Sequence, residues 1–246
     1  MMKEPVAKVA LVTGGAKRVG RAVVERLADE GFDVAFTYLS SEAEAAALEH
    51  ELQSRGRRAL AIRADLNRPD HAVNAVFQAF GQQFARLDVL VNNASLYQPG
   101  RLRETTLEQS SRLMAIHFES PLLLVQQFES MLRSSRGHVI NLADLLAERP
   151  WPQYLAYCAS KAALVNLTLA LARELAPDVT VNAIAPGVVE WPPDYPEEEK
   201  QKYLKRVPLG RPGTPRDVAN LVRFLAGEGS YITGQVLRLD GGRSIT

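Results

Sequence analysis

Short apolar runs alternate with longer segments of helical periodicity along nearly the whole chain, and this alternation restricts the fold more than any other feature. Runs at 6–12, 33–38, 59–64, 88–92, 138–142, 180–184 and 235–239 have the near-continuous apolar character of strands buried on both faces. Between them, 19–30, 41–55, 69–84, 107–133, 154–175 and 215–226 show the spacing of helices with one apolar face. Strand, crossover helix and strand, repeated in this way, build a parallel sheet covered on both sides. The pattern predicts an α/β fold, one doubly wound domain over residues 1–246 with a seven-stranded parallel sheet flanked by helices. Residues 187–211, rich in proline and charge, resist a regular assignment and read as a substrate loop or lid.

Size and charge agree with one small-molecule-binding domain. The chain has 246 residues, 46% of them hydrophobic, enough for one substantial core. Its 29 basic and 28 acidic residues leave a net charge of +1 with no long block of either sign, which argues against a nucleic-acid partner or a polybasic membrane surface. Cys158 is the sole cysteine, so no internal disulfide forms. No apolar run is expected to approach the roughly 20 residues of a membrane span. Residues 1–5 lack the charged-then-apolar pattern of a signal peptide. These features predict a reduced, cytoplasmic protein, and no metal is expected at its site.

The first strand leads into Thr13-Gly14-Gly15-Ala16-Lys17-Arg18-Val19-Gly20 and then a helix. In that context a glycine-rich turn holds a dinucleotide pyrophosphate against the backbone N–H groups of a helix start, the Rossmann-type arrangement. Arg18 stands where many such turns carry a glycine, and its guanidinium suits an extra phosphate. At the end of the second strand, an acid would accept from a ribose 2′-hydroxyl and repel a 2′-phosphate. Tyr38, Ser40 and Ser41 stand there instead, which together with Arg18 favours NADP(H) over NAD. Ser41 is equally well placed to cap the next helix.

A second constellation carries the chemistry. Tyr157 and Lys161 are four residues apart, so a helix presents both on one face, and Asp144 ends the fifth strand. A phenol with an ordinary pKa of about 10 needs a nearby cation to donate its proton near neutrality, and Lys161 can supply one. Asp144 reads either as a catalytic acid or as a cap at the strand end. Cys158, facing away from Tyr157, reads as a small core residue. Trp191 and Tyr195, with Pro192, Pro193 and Pro196, either close over a substrate or pack the loop, and Glu197-Glu198-Glu199 reads as the exposed first turn of a helix.

These motifs together resemble the short-chain dehydrogenase/reductase family, over nearly the whole chain and in the expected order. The resemblance adds Asp65-Leu66 after the third strand, Asn92-Asn93-Ala94 after the fourth and Pro186-Gly187 after the sixth. It implies a cofactor site of Gly14, Lys17, Arg18, Val19, Gly20, Tyr38, Ser40, Ser41, Asp65, Leu66, Asn92, Ala94, Lys161, Pro186 and Gly187. It also implies a homotetramer built on the helices 107–133 and 154–175. Within the family the chain looks most like pteridine reductase. Arg18, Ser95 after the asparagine-alanine segment, Asp144 in a position usually held by serine, and Tyr231-Ile232-Thr233-Gly234 leading to Asp240-Gly241-Gly242-Arg243-Ser244-Ile245-Thr246 all fit.

The expectation is an NADPH-dependent reductase that delivers hydride to a pteridine ring C=N bond, of dihydropterin or dihydrofolate type. Asp144, Tyr157 and Lys161 would be catalytic, and Arg18, Ser95, Tyr97, Asp144 and Tyr157 would hold the substrate. An ionised Asp144 accepts hydrogen bonds but cannot donate one to a ketone oxygen, which weighs against an ordinary ketoreductase. The alternatives are a carbonyl reductase acting on a 3-oxoacyl thioester or another ketone, and a non-catalytic nucleotide-sensing protein. His117 departs from the family, which usually has a water-holding asparagine there. It reads either as a substitute holder of that water or as a satisfied helix residue.

Overall fold

A computed structural model of the chain describes residues 7–191 and 194–246. The strands β1 (Val9–Val12), β2 (Asp33–Tyr38), β3 (Ala59–Arg63), β4 (Val89–Asn92), β5 (His138–Leu142), β6 (Thr180–Pro186) and β7 (Val236–Leu239) form one sheet in the order β3-β2-β1-β4-β5-β6-β7. Every pairing is parallel. The helices are α1 (Arg18–Asp29), α2 (Glu42–Ser54), α3 (Pro69–Gln83), α4 (Leu107–Met114), α5 (Ser120–Ser135), α6 (Leu155–Glu174), α7 (Glu197–Leu204) and α8 (Pro215–Gly227). The doubly wound, seven-stranded fold expected from the alternating pattern is present. Val6, the expected start of the first strand, and residues 1–5 lie outside the described residues, as do Pro192 and Pro193.

Side-chain alternation along the strands divides the core in two. Ala10 and Val12 of β1 face one layer with Val24 and Leu27 of α1, Leu48 of α2 and Val222 of α8. Val9 and Leu11 face the other, with Val76 and Phe80 of α3 and Leu124 and Phe128 of α5. Phe36, Phe80, Phe84 and Phe128 are fully buried, each contributing about 1.5–3 kcal/mol relative to exposure.

Two expectations need correction. The helix expected over 107–133 is interrupted by a π turn, Ala115–Glu119, between α4 and α5. Pro121 has no N–H to give the carbonyl four residues back, that of His117, so the backbone is free to widen there. In addition, α6 is long and apolar enough, by length and composition, to cross a membrane, with a mean hydropathy of 1.5. In this fold its apolar residues reach the core, and the same helix buries Tyr157, Lys161 and Thr168. The irregular stretch 187–211 contains α7, whose first turn holds Glu197, Glu198 and Glu199 as expected.

Strand order reverses between β1 and β4, and a crevice opens at their carboxyl ends, the usual ligand position in such sheets. Thr13 Oγ1 accepts from the N–H groups of Asn93 (2.9 Å) and Ala94 (3.0 Å), and Asn93 Nδ2 donates to the carbonyls of Thr13 (2.8 Å) and Gly14 (3.1 Å). Gly14 sits at φ +64°, a conformation glycine adopts without strain. A side chain on Gly20 would overlap the Gly14 carbonyl oxygen and meet Asn93 Nδ2 at 2.7 Å. The turn closes only because α1 begins without bulk at that point.

The same substitution should therefore act oppositely at two glycines. Gly20→Ala is expected to destabilise by about 1–3 kcal/mol through overpacking. Gly81→Ala, at an exposed position of α3 with nothing within 4 Å of the added carbon, should stabilise by about 0.5–1 kcal/mol. Urea denaturation of both variants checks this, and a Gly20→Ala protein as stable as the parent would refute the packing argument.

Candidate active site

The crevice opens into a cavity of about 790 Å³ that runs from the glycine turn to the aromatic residues of the 187–211 segment. Of the residues expected at the site, Gly14, Lys17, Arg18, Val19, Gly20, Tyr38, Leu66, Ala94, Ser95, Tyr97, Asp144, Tyr157, Lys161, Pro186 and Gly187 line it. Ser40, Ser41, Asp65 and Asn92 do not. Asp65 turns back on its own chain, its Oδ1 accepting from Asn67 N (3.1 Å) and Asn67 Nδ2 (2.9 Å), and Asn67 reaches the cavity in its place. Asn92 is buried in the sheet and donates to Asn141 Oδ1 at 2.8 Å. Ser41 stands at the N-cap of α2 without a side-chain cap bond, and Ser40 is exposed.

Asp144, Tyr157 and Lys161 converge at the end of β5. The Tyr157 hydroxyl donates to Asp144 Oδ2 at 2.7 Å, and Leu146 N–H donates to Asp144 Oδ1, also at 2.7 Å. Asp144 is thus both the cap of a short 3-10 turn (Leu145–Ala147) and the partner of the phenol, so the two roles left open by the sequence coexist. Lys161 Nζ donates to the Leu142 carbonyl at 2.7 Å and lies 5.9 Å from the Tyr157 ring centroid.

Burial governs the protonation of all three. It raises the Asp144 carboxyl above the usual range, against the opposing pull of the Leu146 and Tyr157 hydrogen bonds and of Lys161. It lowers Lys161 to about 8, although Asp144 favours its charged form. Tyr157 lies well above its ordinary value, first by burial and then by the Asp144 charge and hydrogen bond. Asp144, hydrogen-bonded to the phenol, thus adds to burial in favouring its protonated form.

Arg18 adopts φ +52°, the left-handed region that a non-glycine residue enters at a cost of order 1 kcal/mol. Its Nε pairs with Glu190 Oε2 at 2.6 Å, across from the turn to the segment after β6. Lys17 pairs with Glu44 at 2.7 Å. Exposed ion pairs of this kind contribute only about 0–1 kcal/mol, so a bound phosphate can replace either carboxylate at little cost.

The aromatic lining includes Tyr97, Trp191 and Tyr195, which the sequence singled out, and Trp151, Tyr154 and Tyr203, which it did not. Tyr97, half-exposed, stacks on Tyr154 at 4.5 Å and meets the edge of Tyr157 at 4.9 Å. Trp191 stacks on Tyr195 at 4.8 Å and meets the edge of Tyr203 at 5.4 Å. Tyr203 Oη also accepts from Val188 N–H at 3.1 Å, tethering α7 to the segment it covers. Tyr154 was recoverable, being one helical turn before Tyr157. Trp151, Tyr203, Arg149 and Arg243 come from segments whose placement depends on the tertiary fold. Cys158 packs with Leu113, Leu146 and Tyr157, and burial raises its thiol, as befits a core residue.

Comparison with known proteins agrees with this geometry. A family model described as enoyl-(acyl carrier protein) reductase matches residues 14–244. The 3-oxoacyl-[acyl-carrier-protein] reductase FabG of Staphylococcus aureus is 35% identical over 242 residues, covering 96% of this chain and 98% of its own. Among solved structures, a blue fluorescent protein from a metagenomic library, in complex with NADPH, is 40% identical with a TM-score of 0.91, covering 96% of this chain and 97% of its own. A mutant short-chain dehydrogenase/reductase of Serratia marcescens is 36% identical with a TM-score of 0.90, covering 98% and 100%. By sequence, by fold and by the glycine turn facing Tyr157 and Lys161, the chain belongs to the short-chain dehydrogenase/reductase family.

Proposed function

We propose that the protein is an NADPH-dependent reductase of small-molecule carbonyl compounds, with 3-oxoacyl thioesters as the leading substrate class. The observation that carries the proposal is the part-buried Tyr157–Asp144 hydrogen bond beside Lys161, on the wall of a cavity that begins at the glycine turn. The nucleotide end fits NADPH: Gly14 and Gly20 admit a backbone-held pyrophosphate, Lys17 and Arg18 supply cations, and no acid stands at the end of β2. The structural relative bound to NADPH and the curated relatives named as 3-oxoacyl reductases support the same choice.

Bound NADPH supplies the hydride. Tyr157 delivers its proton to the carbonyl oxygen, and Lys161 compensates the charge left on the phenolate. Because burial raises Asp144, its carboxyl can be protonated once ligand covers it, and a protonated carboxyl donates to a ketone oxygen. A protonated Asp144 is therefore compatible with a ketone substrate. We infer a reduced, cytoplasmic enzyme that assembles as a homotetramer through the outer faces of α4, α5 and α6, where Leu107 and Leu169 stand exposed.

One observation favours a second reading. Tyr97 stacked on Tyr154, with Trp191 and Tyr195 lining the same cavity, suits a flat heteroaromatic ring such as a dihydropterin or dihydrofolate. In that case Asp144 would organise proton delivery to a ring nitrogen. The curated relatives reported above favour the carbonyl substrate.

NADPH oxidation measured with acetoacetyl thioester, dihydrobiopterin and dihydrofolate tests the choice. We predict thioester turnover. Pterin turnover alone would transfer the assignment to the second reading, and cofactor binding without oxidation would leave a nucleotide-sensing protein. Asp144→Ser should retain thioester reduction within about tenfold, but should abolish pterin reduction if that is the true activity. Tyr157→Phe should lower kcat by about 10²–10⁴-fold with NADPH affinity little changed. The pH profile has a defined sign: kcat/KM should fall as pH rises through about 8, where Lys161 loses its proton, while the raised Tyr157 stays protonated. A flat profile to about pH 10 would contradict the part given to Lys161.

A further inference from the structure

His117 lies at the centre of the π turn, 1% exposed, with its ring edge-on to Tyr157 at 5.5 Å. Both its nitrogens are engaged. Leu96 N–H, which can only donate, points at Nε2 from 3.3 Å, so Nε2 carries no hydrogen. Ser95 Oγ, 2.8 Å from the same nitrogen, must then be a donor to it. The ring hydrogen is on Nδ1, directed at Ser160 Oγ at 2.8 Å, and Ser160 passes its own hydrogen to the Tyr157 carbonyl at 2.8 Å. The bonds run without a break from the cavity wall after β4, through His117, to the helix that carries Tyr157 and Lys161.

We propose that His117 is a positioning residue, fixed as the Nδ1–H tautomer, which ties residues 95–97 to the Tyr157 helix and makes Ser95 a hydrogen-bond acceptor toward the cavity. The proposal rests on the reading that this cavity holds the substrate of a reductase. Two consequences follow. With both nitrogens occupied, His117 has no site left for a relay water, so the substitute-asparagine reading gives way to a structural coupling. Ser95, its hydrogen committed to the ring, offers only lone pairs. It selects a ligand that presents an N–H or O–H there, such as the amide of a thioester's arm, and disfavours one that presents a bare carboxylate. Protonation of the ring would set Nε2–H against Leu96 N–H. Lys161, the charged group acting on it, adds to burial in holding its pKa down to about 2.

Long-range ¹H–¹⁵N spectra of protein labelled at its 4 histidines test the tautomer without requiring activity. One histidine should show a protonated Nδ1 and bare Nε2, unchanged between about pH 5 and 9, and its signals should vanish in His117→Asn. A titrating His117, or a hydrogen on Nε2, would overturn the proposal. Kinetics test the coupling with acetoacetyl-CoA and NADPH. Asparagine can reach Ser160 but not Ser95, so His117→Asn should raise KM about tenfold with kcat within about threefold. Ser95→Ala should raise KM similarly, and combining the two should add little. A fall in kcat at unchanged KM would assign His117 to proton transfer and reject the positioning role. If acetoacetyl-CoA is not turned over at all, the substrate reading fails while the spectra still decide the tautomer.

Discussion

The hydrogen bond from Tyr157 to Asp144 is the constraint around which the site is arranged. It joins α6 to the segment leaving β5, and two further bonds hold the same pair of elements in register: Lys161 Nζ to the Leu142 carbonyl at 2.7 Å, and Asn141 Nδ2 to Thr168 Oγ1 at 2.9 Å. The latter two are buried, where a lost partner costs the full desolvation of the group left behind, and the first is part-buried on the cavity wall. Asp144 cannot swing away, because its other oxygen is held by Leu146 N–H. The phenol therefore has a fixed direction before any ligand arrives.

That arrangement depends on the sheet. Register between β4 and β5 aligns Asn92 with Asn141, so the end of β4, with Ser95 and Tyr97 beyond it, comes level with the end of β5 and Asp144. The neighbouring β1 delivers the glycine turn to the same edge. One arm then reaches across the crevice, and a second contact braces the segment it meets. Arg18, strained at the turn, pairs with Glu190, while Tyr203 on α7 holds the Val188 backbone. Only the ion pair spans from the glycine turn to the segment after β6, whereas the Tyr203 contact lies within that segment, and the exposed ion pair is the one a phosphate would displace.

Much of this was legible in the sequence, because the fold follows from hydrophobic period and the pairing of Tyr157 with Lys161 from spacing along one helix. Tyr157 and Lys161 needed only the i, i+4 rule, and Gly14 and Gly20 only the strand–turn–helix context. What could not be read depended on tertiary distance. Asp65 and Asn92 carry the right side chains in the right places along the chain, yet Asp65 accepts from Asn67, Asn92 donates to Asn141, and neither lines the cavity. The π turn escaped periodicity because a single extra residue per turn hardly alters the apolar pattern, although Pro121 marks it once the missing N–H is considered. Lys161 is close to Tyr157 in sequence, whereas Asp144, thirteen residues before it, comes within hydrogen-bond distance only through the fold.

The part of Asp144 in adding to burial to keep the Tyr157 proton is tested most directly by ultraviolet titration of that phenol. The signal is taken as the difference between each protein and its Tyr157→Phe counterpart, in the parent and in Asp144→Ser. In the parent the phenol should remain un-ionised past about pH 10, and in Asp144→Ser it should ionise at distinctly lower pH, because the nearest negative charge is gone. Coincident titrations in the two backgrounds would contradict the account.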